Sequence, residues 1–74
     1  MSKLPLIDAG HFEKILFQLG FEKVRQKGSH SFYRHPDGRY TTLPHHGSID
    51  LSRPLIREIL KQIDLTTDEY LKLI

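Results

Sequence analysis

Two turn signals, Gly28-Ser29 and Pro36-Asp37-Gly38-Arg39, cut the middle of this chain into three short runs that suit extended backbone, and this spacing leaves few folds open. Glycine reaches backbone conformations closed to other residues, and proline ahead of Asp-Gly stands where a tight reversal wants it. In the first run, residues 21–27, Val24 is the one strongly apolar position, while Lys23, Arg25 and Lys27 fall together on the opposite face of an extended chain. The second, residues 31–35, mixes aromatic and polar side chains as half-buried strands do. Tyr40-Thr41-Thr42-Leu43 forms the third, and Pro44, with no N–H to give to a ladder, closes it. Reversals this short join neighbours, so the expectation is an antiparallel meander.

Helical patterns flank the meander. Within residues 7–20, Phe12, Ile15, Leu16 and Leu19 recur at helical spacing and predict one buried stripe. Asp8 is a good N-cap, Ile7 before it can staple onto Phe12, and Gly20 stops the helix; His11 lies off the stripe, toward solvent. A polar loop over residues 45–50 leads to a second helix opening at Ser52, with Pro54 tolerated in its first turn and Leu51 placed to staple onto Ile56. Its buried face is Leu55, Ile56, Ile59, Leu60 and Ile63, while Arg53, Arg57 and Lys61 recur on another face. Asp64-Leu65 breaks it. Thr66 and Glu69 have capping-box spacing, Leu65 and Tyr70 form a third staple, and a short terminal helix follows. The fold class is therefore α+β: helix, three-stranded antiparallel sheet, helix, with a short C-terminal helix. Both long helices cover one sheet face and leave the other open, an arrangement resembling the double-stranded-RNA-binding domain.

At 74 residues the chain, 1–74, has room for one domain with a modest core. It has no cysteine, hence no disulfide, thiolate nucleophile or thiolate zinc site, and the cytoplasm is its expected compartment. Pro5 and Asp8 interrupt the apolar start of the chain, and no run approaches transmembrane length. The formal net charge is only +2, but it is unevenly spread. Between residues 23 and 61, Lys23, Arg25, Lys27, Arg34, Arg39, Arg53, Arg57 and Lys61 face only Asp37, Asp50 and Glu58. Such an excess suits a phosphate-bearing partner.

The residue best placed for chemistry is His30, at the junction of the Gly28-Ser29 turn and the second strand. An imidazole titrates near neutral pH and can both take and give a proton. His30 is the candidate general base or acid, His46 and His35 are the candidates for a second proton carrier, and Arg25, Lys27, Ser29 and Arg34 are the candidate RNA-binding residues. Phe32 or Tyr33 can stack on a base; since neighbours on a strand point to opposite faces, the other belongs to the core. Five histidines also raise a metal site, but no His-Glu-x-x-His element is present, and adjacent His45 and His46 on extended backbone point apart. No metal or cofactor is expected.

Several of these stretches, in this order, resemble the HicA-type toxins of bacterial toxin-antitoxin pairs. They are Leu19-Gly20-Phe21, Gly28-Ser29-His30, Arg34-His35-Pro36-Asp37-Gly38-Arg39, Leu43-Pro44-His45-His46 and Leu60-Lys61-Gln62. The resemblance implies a fold related to the double-stranded-RNA-binding domain, metal-independent endoribonuclease activity on mRNA, and neutralisation by a HicB-type antitoxin. It assigns the catalytic histidine of the Gly-Ser-His signature to His30, matches the family's later histidine to His46, and gives His45 no role. The competing reading is a noncatalytic RNA-binding module on the same fold.

Overall fold

A computed structural model describes residues 3–74. Its elements run α1 (Ala9–Gln18), β1 (Glu22–Lys27), β2 (His30–Arg34), β3 (Tyr40–Pro44), α2 (Arg53–Gln62) and α3 (Thr67–Leu73). The strands form one antiparallel sheet in the order β1-β2-β3. Helix, meander, helix and short C-terminal helix are thus as the sequence predicts, with strand limits moved by a residue. Pro44 is the last rung of β3, opposite His30, rather than the residue beyond it.

The helix ends show how local chemistry sets these limits. The Asp8 carboxylate accepts from the His11 N–H and caps α1. At the other end Gly20, at φ +93°, donates to Phe17 O while Phe21 donates to Leu16 O, the paired bonds that close a helix through a left-handed residue. A side chain at Gly20 would also bring Cβ to 3.1 Å from His35 Nε2. α2 ends the same way on Asp64, at φ +57°, with Leu65 N–H reaching Leu60 O. Thr66 and Glu69 complete the capping box of α3.

One core joins these pieces. Phe12, Ile15 and Leu16 from α1 and Ile56, Ile59, Leu60 and Ile63 on and just after α2 close over Tyr33 and Leu43 of the sheet. Tyr70 of α3 stacks on Phe12, ring centroids 5.9 Å apart, and its hydroxyl donates to Pro5 O at 2.6 Å. The N-terminal segment adds a bond from Leu51 N–H to Ile7 O and a bridge between Asp8 and Asp50, pairing that the polar-loop expectation did not foresee.

Alternation along β2 and β3 decides what faces outward. Ser31, Tyr33, Thr41 and Leu43 are buried under the helices; His30, Phe32, Arg34, Tyr40 and Thr42 lie on the uncovered face. β1 corrects the sequence reading. Its register slips between Lys23, opposite Tyr33, and Arg25, opposite Phe32, so Val24 is an extra residue and is 52% exposed. Such a bulge shifts the alternation by one. Lys23 consequently turns to the helix side while Arg25 and Lys27 stay with the open face, and the three cations do not share one side.

Candidate active site on the open sheet face

The Gly28-Ser29 reversal sets the position of His30. Gly28 has φ +59°, and of the two central residues it alone has a positive value, the signature of a type II′ hairpin turn, whose sense of twist matches paired strands. Lys27 stands across from His30 on one side and Pro44 on the other. One further bond locks the turn: His45 N–H donates to Ser29 O at 2.6 Å. His30 is exposed at the start of β2, its backbone held by strand pairing and its ring without a hydrogen bond or ion pair among the described residues.

The same face gathers cations and aromatic rings. The Arg25 guanidinium lies over the Phe32 ring, 5.6 Å from its centroid, and Arg34 is across from Tyr40. Arg25, Lys27, Ser29 and Arg34 are all exposed. Of Phe32 and Tyr33, Tyr33 is the core residue.

Other cations of the basic stretch have structural partners. Arg39 pairs with Asp37 at 2.8 Å, donates to Ile63 O and sits 5.2 Å from the Phe21 ring centroid; Arg53 donates to Leu4 O at 3.0 Å. They brace the fold, and the free positive charge near His30 is correspondingly smaller than a count of side chains suggests.

The two candidates for a second proton carrier are placed differently. His35 follows the far end of β2 from His30, with Nε2 at 3.1 Å from Leu19 O and Nδ1 accepting Asp37 N–H at 3.1 Å. Its ring also packs edge-on against Phe21 at 5.1 Å. Both nitrogens are used in joining the end of α1 to the β2–β3 turn. His46 is exposed, two residues beyond Pro44, the cross-strand partner of His30.

His45 takes part in a cluster that sequence reasoning passed over. The Tyr33 hydroxyl donates to Glu13 Oε2 and lies 3.1 Å from His45 Nε2, while Lys23 Nζ reaches the same Glu13 oxygen at 2.9 Å. α1, β1, β2 and the segment after β3 thus meet in one polar group. Burial pushes the Glu13 carboxyl up, but the bonds from Tyr33 and Lys23 outweigh it and hold the carboxyl below its ordinary range. Burial, and then the neighbouring Glu13 carboxylate, push the Tyr33 phenol well above its ordinary value. A signal existed: alternation from Thr41 through Leu43 arrives at His45 on the Tyr33 side, and Glu13 follows Phe12 on the flank of the buried stripe. Among the described residues, no three of His, Cys, Asp and Glu converge as metal ligands, and no helix is long and apolar enough to cross a membrane.

A small helix, meander, helix domain that presents an unencumbered histidine among cations on its bare sheet face is the class of protein these observations define. The family described as "HicA toxin of bacterial toxin-antitoxin" matches residues 10–65, and the chain belongs to this HicA toxin family. A search among curated proteins returned no match.

Proposed function

We propose that residues 1–74 act as one toxin domain that cleaves mRNA in the cytoplasm without a metal, with His30 as the proton-transfer group, and that a HicB-type antitoxin neutralises it. The observation that carries this reading is exposed His30, its backbone held by pairing between Lys27 and Pro44 on a face that also bears Arg25 and Arg34. In the reaction a base takes the 2′-hydroxyl proton, the 2′-oxygen attacks phosphorus, and the 5′-oxygen leaves with a proton returned to it. The products are a 2′,3′-cyclic phosphate and a 5′-hydroxyl. Arg25, Lys27 and Arg34 supply positive charge where the phosphorane gathers negative charge, the Ser29 hydroxyl offers a further contact at the turn, and His46 is the second proton carrier, with His35, whose ring nitrogens are both engaged, as the alternative. Cleavage of mRNA stops translation and growth; an antitoxin restores both by covering His30 or the basic face.

The deciding experiment replaces His30 with alanine. Loss of a positioned acid or base costs about a hundredfold to ten-thousandfold in rate. H30A is expected to keep its fold and its affinity for RNA while cleavage and growth arrest disappear. Unchanged cleavage by purified H30A overturns the assignment; RNA bound but never cut, even by the unaltered protein, supports the noncatalytic RNA-binding module instead.

A further inference from the structure

The open face carries something phosphate contacts do not require. Phe32 and Tyr40 are diagonal neighbours on β2 and β3, with ring centroids 6.2 Å apart and planes inclined by 36°. No helix covers them. Tyr40 is 47% exposed, and half-buried Phe32 has Tyr40 on one flank and the Arg25 guanidinium over its ring. An aromatic pair left on the bare side of a sheet is apolar surface that water solvates poorly, and here its borders are cationic: Arg25 beside Phe32 and Arg34 opposite Tyr40.

We infer that Phe32 and Tyr40 form a stacking site for unpaired nucleobases, so that the strand held against His30 is single-stranded RNA. The inference rests on the ribonuclease reading above and narrows its substrate. A duplex keeps its base faces stacked inside and shows a protein mostly phosphate and 2′-hydroxyl, which gives two adjacent aromatic rings nothing to engage. An unpaired strand offers base faces to the rings and phosphates to Arg25, Lys27 and Arg34 at once. The spacing suits this. Phe32 is two residues from His30 on one strand and so shares its face, roughly 6.6 Å along the chain. A base on the Phe32 ring therefore lies next to the ribose offered to His30, and stacking fixes the register in which the backbone meets the imidazole. Tyr40 extends the platform away from His30, which makes it a binding residue for a neighbouring nucleotide rather than part of the proton transfer.

The test uses the full chain carrying H30A, so that RNA stays intact, and a 12-nucleotide unstructured RNA labelled with fluorescein, alone or annealed to its complement. Anisotropy at fixed salt is expected to give tighter binding of the single strand than of the duplex. Phe32→Leu and Tyr40→Leu should each weaken the single strand by roughly 5- to 150-fold, the range for losing one stacked base, and leave the duplex unaffected. Phe32→Trp keeps a π-face and should restore binding, which guards against a leucine variant that folds poorly. Equal binding of strand and duplex, or leucine variants within twofold of their parent, overturns the stacking site and leaves the ribonuclease reading standing. Polyglutamate competing as well as the oligonucleotide at equal charge also overturns it, in favour of an acidic protein on this face. Absence of binding to either RNA sinks both readings together.

Discussion

Tyr33 and His45 meet through the phenol oxygen and Nε2, 3.1 Å apart, and the direction of that bond follows from Glu13. The Tyr33 hydroxyl has one proton, and it goes to the Glu13 carboxylate. His45 Nε2 must therefore carry hydrogen and donate to the phenol oxygen, which fixes the tautomer of the ring. Because the His45 N–H also holds Ser29 O, the pair connects the buried cluster to the turn that presents His30.

Replacing Tyr33 with phenylalanine keeps the ring in the core and deletes both bonds of the hydroxyl. A hydrogen bond to a charged group contributes about 1.5–3 kcal/mol, so Y33F is expected to lower stability by that order. The urea midpoint measures it. A change under about 0.5 kcal/mol would mean that Lys23 and water satisfy Glu13 unaided.

The same cluster gives stability a dependence on pH with a determined sign. The Glu13 carboxyl titrates lower in the folded protein than its ordinary 4.5, so its contribution is complete above pH 4.5 and is lost as pH falls through the folded value. The Tyr33 phenol titrates higher than its ordinary 10.0, so its contribution is complete below pH 10 and is lost as pH rises through the folded value. Urea titrations across pH should show the stability gap between wild type and Glu13→Gln closing toward acid, and the gap to Y33F closing toward strong alkali. Gaps that do not change with pH would refute the linkage.

His35 and His46 should separate cleanly when each is changed to alanine. H35A loses the bonds to Leu19 O and Asp37 N–H and the Phe21 contact, so its urea midpoint should fall while cleavage per folded molecule is retained. H46A, at an exposed site with an unencumbered ring, should keep its stability and lose cleavage rate if it is the second proton carrier. The opposite pattern would move that role to His35.

Salt dependence reports how many phosphates the open face engages. For single strands, log K falls with log salt by about 0.7 for each phosphate neutralised. Arg25→Ala and Lys27→Ala should each flatten the slope by about that amount. Arg39→Ala should leave the slope unchanged and lower stability instead, because its guanidinium is held by Asp37 and Ile63 O. A flatter slope for R39A would count against this division between binding and bracing cations.

Local signals in this chain determined the elements and their limits to within a residue or so, because caps, staples and turns act between residues close in sequence. Asp8, Gly20, Ser52, the Thr66–Glu69 box and the Gly28 turn each act where their residue types predict. The same signals set His30 at the mouth of a hairpin and left one sheet face bare. Tertiary structure alone decided which cations are free and where the second polar cluster lies. One extra residue at Val24 turned Lys23 inward to Glu13, and Asp37, the Phe21 ring and Ile63 O tied down the Arg39 guanidinium. These outcomes depend on register and on approach between residues far apart in the chain, for which periodicity within a single segment has no term.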